Sequence, residues 1–217
     1  MIISHRHRYV FVHIPKTGGT SLTLALERRL GPQDIVLSDT PKGLKRRRRV
    51  RGVAARGRLW KHSTLADIEG LVDPAIFSGY LLVTLARNPW ARAVSYHRWL
   101  RLQSFENPAV ALAKALDFRD FLRQPLILSH MAVPVRHYLT DARGQEYPAL
   151  ILRLDDLGPG LAELEAHLGF PPGPLPRSNA SGPPGADWRG SHDAETRALI
   201  AHAAAEDIAR FGWTFDG

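Results

Sequence analysis

Residues 13–22, HIPKTGGTSL, hold the side chains with the clearest chemical use. Gly18 and Gly19 let the backbone bend so that several N–H groups converge on one anion. Thr20 and Ser21 follow, at the start of a helical pattern whose positive dipole end points the same way. Lys16 adds a full positive charge beside the bend. Glycines and hydroxyls alone fit an ordinary tight turn capped by Thr20. A lysine before the turn, with a strand ahead of it and a helix behind it, shifts the reading to phosphate binding.

The order differs from the G-x-x-x-x-G-K-[ST] loop of nucleotide triphosphatases, where the lysine follows the glycines. Nor does an acidic residue stand at a strand end in a clear position to hold magnesium. Asp155 and Asp156 follow an apolar stretch but read as loop residues. The inversion argues against ordinary ATP chemistry.

A second anion site is legible at 87–95, RNPWARAVS. Arg87 ends an apolar run, and Ser95 lies about two helical turns on. A guanidinium fork and a hydroxyl suit a terminal phosphate monoester. An arginine paired with a local carboxylate and a serine on a solvated helix face fit the same residues.

These groups need a scaffold. RYVFVHI at 8–14 reads as a strand, and TSLTLALERRL after the glycines as a helix with leucines on one side. GYLLVTLA at 79–86 and ALILRL at 149–154 are short apolar runs of the kind covered on both faces in a parallel sheet. Pro89 suits the first turn of a helix running from Trp90 to about Leu102. Residues 193–211 read as one long helix ended by Gly212. Strands alternating with helices predict an α/β fold, P-loop-like and three-layered, with a central mostly parallel sheet flanked by helices. The 217 residues are expected to form one domain, with flexible loops at 41–58 and 171–190.

Composition bounds the chemistry. There is no cysteine, which excludes disulfides, thiolate metal sites and thiol nucleophiles. No apolar stretch reaches the roughly 18 residues of a membrane span, and no secretory signal is expected, so the reading is cytoplasmic. A net charge of +8 favours anionic partners. The run from Lys42 to Arg51 is either a solvated loop or a means of recruiting an anionic acceptor.

Taken together, HIPKTGGTSL and LARNPWARAVSYHRWL resemble the two cofactor signatures of the sulfotransferases that use 3′-phosphoadenosine 5′-phosphosulfate, in the membrane-type carbohydrate branch. The likeness extends through LWKHSTLADI at 59–68, ILRLDDL at 151–157, RSNASG at 177–182 and AEDIARFGWTF at 205–215. Asp155 stands where many members carry Glu. With no transmembrane anchor, the chain looks like the bacterial members. The resemblance implies that Lys16, Thr17, Gly18, Gly19, Thr20 and Ser21 hold the 5′-phosphosulfate, and that Arg87 and Ser95 hold the 3′-phosphate. It implies His62, in KHST, as the catalytic base, with Lys16 also acting on the leaving oxygen. His97 and His130 are weaker alternatives, and His13 reads as structural. Asn179 and Ser181 would belong to a closing loop.

The implied reaction moves a sulfuryl group to a hydroxyl acceptor, a carbohydrate, and yields 3′,5′-adenosine bisphosphate. No metal is needed, and no nucleic-acid partner and no membrane span are expected. Two other readings fit parts of the chain: a P-loop kinase using ATP, and a basic nucleic-acid-binding module centred on 42–58. The second explains the charge but leaves the glycine loop without a role.

Overall fold

In this computed structural model, residues 1–173, 175–176 and 187–216 are described. In chain order the elements are β1 (Ile2–Ser4), β2 (Tyr9–Val12), α1 (Gly19–Leu26), β3 (Ile35–Val36), α2 (Pro41–Arg46), α3 (Ile76–Gly79), β4 (Leu81–Ala86), α4 (Pro89–Arg101), α5 (Pro108–Ala115), α6 (Phe118–Leu122), α7 (Pro125–Ala132), α8 (Val135–Tyr138), β5 (Leu150–Arg153), α9 (Leu157–Leu168), α10 (Ala194–Ala203) and α11 (Ala205–Phe211). They group into two compact units, Met1–Ala86 with Val135–Ser178, and Arg87–Pro134 with Asn179–Gly217.

The first unit carries the whole sheet, in the order β3-β1-β2-β4-β5. The three strands predicted from apolar runs lie side by side and parallel, with Val12 opposite Thr84 and Ala86 opposite Arg153. The Thr84 hydroxyl donates to the Val12 carbonyl at 2.7 Å and ties β4 to β2. Two strands the sequence reading did not assign, β1 and β3, extend the sheet antiparallel. They have three and two residues, too few to show a period of two.

One face of the sheet is built from alternate positions, Tyr9 and Phe11 on β2, Val83 and Leu85 on β4, and Leu152 on β5. Leu22 and Leu26 on α1, and Leu164 and Leu168 on α9, four residues apart on each helix, cover that face. Val10, Val12 and Leu82 on the other face are buried as well, which is why the strands read as continuous apolar runs. The mixed α/β architecture with helices flanking the sheet matches the expectation.

Residues 41–50 differ from it. The segment is helical, α2 followed by a tighter turn over Arg47–Val50. Thr40 caps it by accepting from the Gly43 N–H, and Pro41 occupies the first helical position. Of the loop expected at 171–190, residue 174 and residues 177–186, which include Asn179 and Ser181, lie outside the described residues. Arg189–Ser191 form a single helical turn.

In the second unit, Asn88 caps α4 by accepting from the N–H groups of Trp90 and Ala91. Its side-chain amide also donates to the Thr214 carbonyl at 3.1 Å. Trp90 donates to the Arg197 carbonyl at 3.0 Å, fastening α4 to α10. The long C-terminal helix is two helices. Ala204 leaves helical geometry between them, with φ −106° and ψ 24°.

Candidate functional site

The glycine loop in the first unit joins β2 to α1. Two of its residues have left-handed backbones, Lys16 at φ 66° and Gly18 at φ 92°. For Lys16 this conformation costs about 1–3 kcal/mol, strain of the kind concentrated at ligand sites. Thr17 holds the bend in place. Its buried hydroxyl donates to the Ile14 carbonyl at 2.9 Å, so Thr17 has only backbone to offer outward. Gly18 stands at the N-terminus of α1, which has no side-chain cap and no acidic residue in its first turn. An anion there meets the positive end of the helix, and no carboxylate in that first turn opposes it.

Gly19 is required by packing. A Cβ at this position would sit 2.2 Å from Cδ2 of His13, whose ring lies against the start of α1. At Gly18 the positive φ and the Leu154 side chain, 3.0 Å from such a Cβ, restrict substitution as well.

His13 is the residue whose part the sequence reading understated. It lies just past β2, buried, with its ring stacked on Phe11 at 5.8 Å and edge-on to His62 at 4.7 Å. Burial holds it well below the ordinary histidine value. Its Nδ1 is buried and meets no partner among the described residues. Forty-nine residues separate the two histidines, so no local spacing could reveal the pair.

His62 takes its orientation from this neighbour. Its Nδ1 lies 2.7 Å from the His13 carbonyl oxygen. A carbonyl only accepts, so Nδ1 carries the proton and Nε2 presents the lone pair. Burial pushes the His62 pKa down to about 3, against the raising effect of that hydrogen bond, and the Lys61 charge lowers it further. The ring is neutral at pH 7, with a fixed tautomer and one nitrogen able to take a proton. Trp60 packs edge-on against it at 4.9 Å. Lys61 is turned to Asp39 in an ion pair of 2.7 Å.

The second unit holds the other sequence-predicted residues. Arg87 follows Ala86, the last residue of β4, and Ser95 is buried on α4. Burial, and then the like charge of Arg98, pull the Arg87 pKa down to about 10, so the guanidinium stays charged. Arg98 donates to the Ser191 hydroxyl at 3.4 Å. Arg98 was not singled out in the sequence. The signal was its place three residues beyond Ser95, one turn along the helix.

The weaker base candidates, His97 and His130, lie in the second unit. The His97 ring sits against Phe121 and Phe118, at 4.7 and 5.5 Å. His130 Nδ1 is 3.0 Å from the Tyr96 hydroxyl. Among the described residues, no group of three or more His, Cys, Asp or Glu could hold a metal ion. No described helix is long and apolar enough to cross a membrane.

Comparison of the chain with protein-family models, with curated proteins and with solved structures found no match.

Proposed function

We propose that this chain is a sulfotransferase, moving the sulfuryl group of 3′-phosphoadenosine 5′-phosphosulfate to a hydroxyl acceptor, a carbohydrate. The observation that carries the reading is the pairing of a glycine-bent strand–loop–helix unit, with no acidic residue in the first helical turn, with a histidine whose tautomer is set by the residue that opens that loop. The strand–loop–helix unit also supports a P-loop-like description of the first unit.

Lys16 and the backbone of residues 17–21 bind the 5′-phosphosulfate. Arg87 and Ser95, with Arg98 added, bind the 3′-phosphate. His62 Nε2 takes the proton of the acceptor hydroxyl as its oxygen bonds to sulfur. The bond from sulfur to the bridging phosphate oxygen breaks, and its electron pair stays on the leaving phosphate. Lys16 and the helix terminus stabilise that charge, the task electrostatic preorganisation performs in group transfer. An anion in the loop also raises the His62 pKa from its low value towards the working range of a base.

A screen of sulfur-labelled donor against oligosaccharides, alcohols and tyrosine peptides tests the reading. Label should pass to a hydroxyl compound, with the oligosaccharides best. Donor that stays intact with every acceptor class refutes it.

A further inference from the structure

We propose that residues 41–60 form a surface that rests on anionic membrane lipid. The stretch has nine lysines and arginines and no carboxylate. Some of these cations are tethered: Lys42 donates to the Glu27 carbonyl, Arg46 to the Asp34 carbonyl and Arg47 to Asp39. Others face outward. The exposed side chains of Arg48, Arg51 and Arg56 make no hydrogen bond or ion pair with any described residue.

Apolar side chains stand among them. Of the six large hydrophobic residues exposed in the described structure, three belong to this stretch: Leu44 at 50%, Val53 at 38% and Trp60 at 37%. Asp39 ties the parts together, bonding Arg47 on one side and Lys61 on the other, so the helical turn and the Trp60 segment adjoin. Arg58 lies over the Trp60 ring at 4.7 Å.

A nucleic acid or a sulfated glycan would use the charges and leave Leu44 and Val53 without a role. An anionic bilayer uses both: the cations meet lipid phosphates and carboxylates, while leucine, valine and tryptophan enter the headgroup boundary. The inference does not depend on the nucleotide reading.

Co-sedimentation of the full chain with vesicles tests it, comparing 30% phosphatidylserine in phosphatidylcholine with phosphatidylcholine alone. The chain should pellet with the first and not the second. Removing three cations (R48A/R51A/R56A) should lower the partition coefficient by roughly a hundredfold, at about fivefold per cation. L44S/V53S should lower it by roughly tenfold. Unchanged circular dichroism and thermal midpoint keep both variants interpretable. Absence of partitioning, or partitioning that L44S/V53S leaves intact while heparin or duplex DNA abolishes it, overturns the proposal and makes the surface a polyanion site.

Discussion

The imidazole of His62 donates to the backbone carbonyl of His13 across 2.7 Å, and the His13 ring lies against the first residue of the helix that follows the glycine loop. The proton-accepting nitrogen and the glycine loop therefore share one support. A residue placed this way is expected to matter to turnover more than to binding. His62→Ala should lower turnover by about 10²–10⁴-fold and leave the affinity for adenosine bisphosphate within about twofold. Paired kinetic and calorimetric measurements check this, and near-normal turnover removes His62 from the role. In the intact protein, the His62 ring-proton titration followed by NMR should move upward when adenosine bisphosphate binds.

The two buried imidazoles also set a pH dependence of stability. In the unfolded chain they titrate near the ordinary value of about 6.5. In the folded chain burial lowers both, His62 to about 3. Their stabilising effect is complete above about pH 6.5 and is lost as pH falls towards the folded values, because the unfolded state then binds protons that the folded state refuses. Unfolding free energies from denaturant titrations should fall between pH 7 and pH 5, by on the order of 1–2 kcal/mol for His62, with His13 adding in the same direction. His62→Gln should show a shallower fall than the parent protein.

Gly19→Ala places a methyl group 2.2 Å from the His13 ring. Overpacking of this kind costs about 1–3 kcal/mol, and the displaced ring would take the loop with it. Chemical denaturation should show the loss. In the H13A background, where the obstructing ring is gone, adding G19A should cost little further stability.

Much of this was legible in the sequence. β2, β4 and β5 were readable because strands covered on both faces leave unbroken apolar runs, and Pro89 marked the start of α4. The helix at 41–46 was not. Gly43 and the dense positive charge argue against a helix, and the cap that fixes it, Thr40 to the Gly43 N–H, is one hydrogen bond that composition does not register. The loop at 16–21 was visible from its residue types. His13 reads as structural in the sequence, but its hold on His62 is not legible there because it runs through a backbone carbonyl, and any residue type has one.

Burial, and then the like charge of Arg98, disfavour the charged form of Arg87, a cost that a bound dianion would relieve. Arg87→Ala should weaken adenosine 3′,5′-bisphosphate by roughly tenfold to a hundredfold, and Arg98→Ala by less. Neither should alter the affinity for adenosine 5′-phosphosulfate, which lacks the 3′-phosphate. Equal losses for both ligands would assign these arginines to something other than the 3′-phosphate.

The most direct measurement is calorimetric titration of the metal-free protein with adenosine 3′,5′-bisphosphate and with ATP, repeated for Lys16→Ala. Saturable binding of the bisphosphate, much weaker binding of ATP, and loss of the bisphosphate heat in the lysine variant are the predicted results. Heat from ATP that requires magnesium, with none from the bisphosphate, would contradict the account.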